Sequence, residues 1–438
     1  MRGFIWLSGL WLGLLAQAAM ADEGGFWEDA RANLDLRNYW LYSDYRHDRQ
    51  REQNYRREWA QGFTARFSSG YTPGLVGLGV DAHGFVGLRL DSGRGTAGTG
   101  LLPLDSDGRA EPDYSSAGAA LKLRLGDTRL LVGEMEVETP VFDTADKRLQ
   151  AEYARGWLLD SQALPSLRLV AGQFDAFKNQ DQSSGHGDFQ GYGASTAGRS
   201  LRLAGVETRG DQPLGAAVYV GELSDTWRQY YFNLHGLHPL AGDATHFSWD
   251  ANLYRTLDSG NARAGAIATT AASLMLKLRH GIQVFSLGYQ KIHGDTPFDF
   301  VGGDSIYLAN SIKYADFNGP GEQSWQARYD LDLSRLWDGL SFMGRYVRGS
   351  HIDGSHAPEG GAYNPFDADL ERYVPAQGNG GRHWERDLTL AYKAPGGALK
   401  DLSVELSYVT HRGNAAQGND DLDRVYLIVQ YPFDLLPR

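Results

Sequence analysis

The chain has 438 residues, with 42 Lys+Arg against 54 Asp+Glu, a formal charge of −12 and no cysteine. The acidic balance argues against nucleic-acid binding, and the missing thiols exclude disulfides, thiolate metal sites and a cysteine nucleophile. Glycine (55), Tyr (23) and Trp (11) are abundant, yet mean hydropathy is −0.42. That excludes long apolar membrane helices beyond the N-terminus and leaves room for a membrane β-barrel, whose alternating strands average to a polar score.

Met1-Arg2 is a short cationic start, Phe4 to Leu15 is an apolar run too short to span a bilayer, and Ala19-Met20-Ala21 fits a small-x-small cleavage site. Residues 1–21 therefore read as a cleaved secretory signal peptide, leaving 22–438 as a single exported domain. An exported chain without cysteine points to the envelope of a Gram-negative bacterium.

Beyond residue 30, helical periodicity gives way to period-two alternation. Runs begin near residues 33, 57, 75, 117, 129, 152, 167, 200, 214, 230, 246, 271, 282, 323, 340, 383, 401 and 423. The clearest keeps one apolar phase from Val76 to Leu90, and the last alternates Val425, Leu427, Val429 and Tyr431 with Arg424, Tyr426, Ile428 and Gln430. Short turns such as Gly126-Asp127-Thr128, Arg209-Gly210-Asp211 and His280-Gly281 alternate with long connections, roughly 43–56, 92–116, 136–151, 175–199, 223–229, 256–270, 292–322, 349–382 and 412–422. The expected fold is all-β: an eighteen-stranded antiparallel transmembrane barrel with short periplasmic turns and long extracellular loops. Lipid offers no hydrogen-bond partners, so such a sheet must close on itself. Trp40, Tyr42, Trp59, Phe67, Trp384, Tyr392 and Tyr408 suit the interfacial girdles.

Eighteen strands are enough to enclose an aqueous channel. The apolar phase should face lipid and the polar phase the lumen. The polar phase holds Arg37, Arg66, Arg89, Lys122, Arg124, Arg168, Arg202, Lys277, Arg328, Arg345 and Arg424, with Asp35, Glu58, Asp330, Asp387 and Glu405 among them. Cations along a narrow wall attract anions, and an arginine fork matches a carboxylate. Alternation alone leaves open whether these residues form an anion-guiding ladder or are the ordinary charges of a large barrel.

Several segments carry a family resemblance: Leu34–Tyr39 (LDLRNY), Arg57–Gly62 (REWAQG), Ser69–Gly74 (SGYTPG), Leu90–Gly95 (LDSGRG), Leu121–Arg124 (LKLR), Ser324–Asp330 (SWQARYD), Leu340–Gly349 (LSFMGRYVRG), Trp384–Leu388 (WERDL) and Tyr431–Leu435 (YPFDL). In order and from end to end, they resemble the OprD family of substrate-specific outer-membrane porins. The resemblance implies a monomer, and no cofactor is expected. It implies loops three, four and seven folded inward, here about 136–151, 175–199 and 292–322. It also implies an Arg/Lys ladder for small carboxylate-bearing solutes such as amino acids and aromatic or organic acids. Arg37, Lys122, Arg124, Arg328 and Arg345 stand in matching motifs, and Arg66 shares their phase. Asp295, Asp304 and Ser305 are candidate acceptors for a substrate ammonium. Two features depart from the family pattern. Glu405 and Ser407 stand where many relatives carry arginines, and the chain ends Leu436-Pro-Arg438, so Tyr431 and Phe433 would carry the assembly signal.

Other motifs fail on context. Gly93 to Gly98 spells GxGxxG but lacks a following helix. Gly303-Asp-Ser305 lies in a long loop without the strand-to-helix turn of a hydrolase. His235, His238 and His246 lack a ligand spacing, so no metal is expected. The sequence therefore predicts a channel and not an enzyme. Non-specific diffusion is the first alternative, with a barrel hydrolase or an adhesion barrel behind it.

Overall fold

The computed structural model describes residues 25–46, 54–93, 95–185, 187, 189, 200–210, 212–240 and 244–436. The expected signal peptide lies outside them. Among the described residues, eighteen long strands form one antiparallel sheet. They are β1 (Arg31–Tyr45), β2 (Tyr55–Ser68), β3 (Val76–Ser92), β4 (Asp113–Leu125), β5 (Thr128–Met135) and β6 (Tyr153–Leu164). Next come β7 (Leu167–Lys178), β8 (Leu201–Thr208), β9 (Leu214–Leu223), β10 (Trp227–Pro239), β11 (Thr245–Asp258) and β12 (Ala268–His280). The last six are β13 (Gln283–His293), β14 (Gln323–Asp332), β15 (Leu340–Asp353), β16 (Asn379–Lys393), β17 (Ser403–Gly413) and β18 (Leu422–Asp434). Every alternating run in the sequence corresponds to one of them.

Closure is explicit. β1 pairs with β2 from Arg31↔Ser68 to Asp44↔Tyr55 and with β18 from Asn33↔Asp434 to Tyr45↔Leu422. No strand of the ring is left with an open edge, as lipid requires. The tight turns are those read from the sequence. At Gly126-Asp127, between β4 and β5, Gly126 takes φ +56°, which a two-residue hairpin turn demands. The loops on the opposite rim include, in their described residues, L2 (93 and 95–112), L3 (136–152), L4 (179–185, 187, 189 and 200), L6 (259–267), L7 (294–322), L8 (354–378) and L9 (414–421).

Alternation sorts the two faces as expected along most strands. Val76, Leu78, Val86, Leu88 and Leu90 are exposed on the outside of β3, while Gly77, Gly79, Phe85 and Gly87 are buried within. Trp40, Tyr42, Trp59, Phe67, Trp384, Tyr392 and Tyr408 all stand in the outward phase. β8 breaks the rule. Leu201 and Leu203 are buried inside the barrel, so Arg202 points outward and is exposed, across from Glu222. The expected lumenal Arg202 is therefore corrected. The assumption that apolar means lipid-facing fails because this part of the lumen is filled by packed loops and not by water.

Candidate functional site: a charged eyelet between two loops

L3 and L7 carry apolar runs that water would penalise. Val141 and Phe142 of L3, with Phe298, Phe300, Val301, Ile306 and Leu308 of L7, bury themselves against the inner wall. Phe142 meets Phe174 at 5.1 Å between ring centroids, and Tyr254 meets Phe298 at 4.7 Å. Full burial of each such side chain contributes roughly 1.5–3 kcal/mol, which is enough to hold the loops against β7–β13. The described part of L4 joins them: Phe189 packs on Phe142 and Phe177, and Gln150 of L3 donates to the carbonyls of Asn179 and Gln182. The described parts of the three loops expected to narrow the pore thus pack together.

Polar groups lock L3 to L7. The Asp143 backbone N–H donates to Ser305 Oγ at 2.6 Å, and Tyr307 Oη donates to Asp143 Oδ2 at 2.6 Å. Gly303 and Ala145 N–H groups both donate to Glu152 Oε2 at 2.8 Å. Gly302 adopts φ +85°, and a Cβ there would collide with the Asp143 carbonyl oxygen, so only glycine permits this approach. Burial pushes the Asp143 carboxyl up to about 7, against the opposing Tyr307 hydrogen bond and with help from the Asp304 and Glu138 charges. Burial likewise raises Glu152, outweighing the Gly303 and Ala145 donors.

The far side of this plug stops short of the opposite wall. The gap is a cavity of about 670 Å³ bounded by L3, L7 and β1, β15, β17 and β18. Five cations reach it (Arg37, Lys147, Arg148, Lys313 and Arg345) and three acids (Asp146, Asp304 and Glu405). Arg37 grips Asp146 with Nη1–Oδ1 at 2.5 Å and Nη2–Oδ2 at 2.8 Å, and donates to the Arg148 carbonyl. Burial alone would raise Asp146, but its Arg37 hydrogen bonds and the Arg37 and Arg66 charges hold it below the usual carboxylate range. Lys147 pairs with Asp304, and Lys313 pairs with Glu405 at 2.6 Å. Arg345 donates through Nε and Nη2 to Asp387, which is fully buried in the wall. The Arg148 guanidinium has no carboxylate partner among the described residues; its Nη1 donates to the Lys147 carbonyl at 3.1 Å.

A second chamber of about 400 Å³ continues toward the periplasmic turns and shares Lys313 and Glu405 with the first. Arg328 lines it, paired through Nε and Nη2 with Asp330 at 2.8 and 2.6 Å. Arg328 and Arg345 are direct cross-strand partners. Such like charges repel, and each is offset by its own aspartate. Arg37 and Arg345 thus line the eyelet, and Arg328 and Arg279 line the second chamber.

The other sequence candidates fall elsewhere. Arg66 pairs with Asp35 at 2.5 Å in a separate chamber of about 910 Å³ that also holds His83, Glu134 and Tyr153. Lys122 is buried, donating to Ser68 Oγ and the Ser69 carbonyl and pairing with Asp81, all at 2.8 Å; it braces the β2–β3 turn. Arg124 lies over the Tyr71 ring at 4.8 Å in that turn. Of the three L7 candidates only Asp304 reaches the eyelet. Ser305 is buried and its hydroxyl is engaged by L3, so it is not open to a solute. Asp295 lines a different cavity, with His293, Asp353 and His356. Glu405, a departure from the family pattern in sequence, is the partner of Lys313. Sequence reading missed Asp146, Lys147, Arg148 and Lys313. For the first three the signal was a charged run, Asp143 to Arg148, directly behind the apolar Val141-Phe142.

Residues 24–435 match the family described as outer membrane porin, OprD family. The chain belongs to the OprD family. It is 40% identical to Porin D of Pseudomonas aeruginosa, covering 96% of this chain and 95% of that one, and 33% identical to the porin-like protein GalP of Pseudomonas putida, covering 94% of each. Among solved structures it resembles Pseudomonas aeruginosa OpdK with vanillate (35% identity, TM-score 0.82, covering 94% of this chain and all of that one). It also resembles Pseudomonas aeruginosa OprD (38%, TM-score 0.81, covering 96% and 98%). As an OprD-family porin it resides in the outer membrane of a Gram-negative bacterium, crosses it as an eighteen-stranded barrel, and serves transport.

Proposed function

We propose that this porin gives passive, selective uptake of small solutes bearing a carboxylate, amino acids and organic acids among them, and that it works as a monomer without cofactor or catalytic activity. The observation that carries the reading is the make-up of the eyelet: among the described residues five cations meet three acids, and the Arg148 guanidinium is in no ion pair with a carboxylate. An entering carboxylate first meets Arg148, then competes with Asp146 for Arg37 and with Glu405 for Lys313, and is handed to Arg345 and Arg328. Arg37, Lys313, Arg345 and Arg328 each already hold an acid, so there the solute exchanges one carboxylate for another. Binding stays weak enough for release, which conduction needs. Asp304 and Glu405 offer the complementary site for an ammonium, which suits amino acids. The vanillate in the OpdK structure is an aromatic carboxylate of the size such a cavity holds.

The test is single-channel recording in planar bilayers with a panel of carboxylates and amino acids. Saturable, solute-specific current block is expected, weakened about tenfold or more in Arg148→Ala, the scale of one charge-assisted hydrogen bond of roughly 1.5–3 kcal/mol. Ohmic current indifferent to every solute would instead make this a non-specific diffusion porin. Arg148 is the better position to change than Arg345, whose removal strands the buried Asp387 carboxylate and threatens the fold.

A further inference from the structure

The outward face of β15–β17 carries a second cationic feature that has no part in permeation. Cross-strand register places Arg348 beside Trp384 and Trp384 beside Arg412, and in the row below it places Tyr346 beside Arg386 and Arg386 beside Thr410. These residues face outward because their chain neighbours Val347, His383 and His411 are buried inside. The next rows toward the periplasm read Gly344, Leu388, Tyr408 and then Phe342, Leu390, Leu406, which is the apolar band. The arginines thus begin where the hydrocarbon ends on the extracellular side, at the depth of the stacked Tyr346 and Trp384 rings, 5.8 Å apart.

Other charges on the outer rim meet a partner in place. On β8–β10, for example, Arg202 and Arg228 flank Glu222, with Arg228 Nη2 at 3.2 Å from it. The β15–β17 face differs. Arg412 and Arg46 share Asp423, at 2.9 and 2.6 Å, and Arg386 donates to Thr410 Oγ1 at 3.3 Å. The Arg348 and Arg382 guanidiniums have no protein partner among the described residues. Together with Arg412, Trp384 and Asn414 they line a groove of about 400 Å³. Counting Asp44, which pairs with Arg46, and Asp421, which accepts from the Gly413 N–H, the patch sets five cations against three acids among the described residues.

We propose that this groove binds the phosphate groups of an anionic glycolipid of the outer leaflet. Unpaired arginine forks are suited to bidentate phosphate recognition. Basic residues at the edge of the hydrocarbon recognise anionic headgroups. The apolar rows directly below give the acyl chains their place on the same strands, which a soluble anion could not use. The occupant is therefore a lipid and not free phosphate.

Native mass spectrometry of the full chain in detergent tests this, with bis-phosphorylated lipid A, its dephosphorylated form and inorganic phosphate as probes. The bis-phosphorylated lipid should bind at least tenfold more tightly than the dephosphorylated one. The Arg348→Ala/Arg382→Ala pair should lose that preference while conductance, the readout of an intact barrel, is unchanged. An Arg202→Ala/Arg228→Ala pair should keep it. Retention of the lipid by the first pair, equal loss in both pairs, or displacement by equimolar inorganic phosphate would overturn the proposal.

Discussion

Where L3 and L7 lie against it, the inner wall from β7 to β13 is dry: Phe174, Phe177, Tyr219, Tyr231 and Tyr254 pack against Phe142, Phe298 and Phe300 of the loops. From β14 through β18 to β1 the same wall faces a water-sized space and carries Arg328, Arg345, Glu405, Gln430 and Arg37. Both walls are built on the same period of two, and that period does not determine what occupies the lumen. The loops decide it. Where L3 and L7 settle, the inward face becomes a core with apolar residues on both sides of the sheet; where they stop, ion pairs appear. The dry wall anchors the loops and the charged wall reads the solute, and each needs the other to make an eyelet.

The largest expected effect comes from attacking the dry wall. Phe142→Ala with Phe298→Ala removes two buried rings that meet the wall, each such truncation costing about 3–5 kcal/mol. L3 and L7 should leave the wall and single-channel conductance should rise several-fold, with the barrel still migrating as a folded species. Unchanged conductance would mean that the polar lock alone holds the loops.

Attacking the charged wall should alter selectivity before conductance. Arg37→Ala leaves Asp146 as an unpaired acid in the eyelet, and Asp146 loses bonds worth roughly 1.5–3 kcal/mol each as charge-assisted contacts. Reversal potentials in a salt gradient should move toward cation preference. No movement would mean that the wall charges do not govern the path.

The seam between the regions should be sensitive to pH. An Asp143 whose folded value is about 7 binds more protons in the packed loop than in a released one. The L3–L7 lock therefore weakens as pH rises from about 4 to about 7 and is strongest in acid. Current fluctuations should become more frequent over that window in the parent protein, and Asp143→Asn should flatten the dependence. A fluctuation rate equally steep in Asp143→Asn would assign the titration to another group, Glu152 being the nearest candidate.

The smallest effect is expected at Arg202→Ala. Its side chain faces outward, so solute block and reversal potential should match the parent. A measurable loss of block would return this residue to the lumen.

Strand number, strand order, the long-short rhythm of the connections and most of the inward-facing residues were legible in the sequence. Each follows from a local period of two and from the need of a membrane sheet to close. Arg37, Arg345 and Arg328 were accessible for the same reason. The eyelet's other half was not, because Lys147, Arg148 and Lys313 stand on loops whose path depends on contacts with strands far away in the chain. Ser305 and Lys122 look available in sequence and are structurally occupied, since a hydroxyl or an ammonium is committed only when its partners arrive. Alternation is a property of neighbouring residues and survives without a fold, whereas which cation stays free to meet a solute depends on how every nearby acid has already been paired.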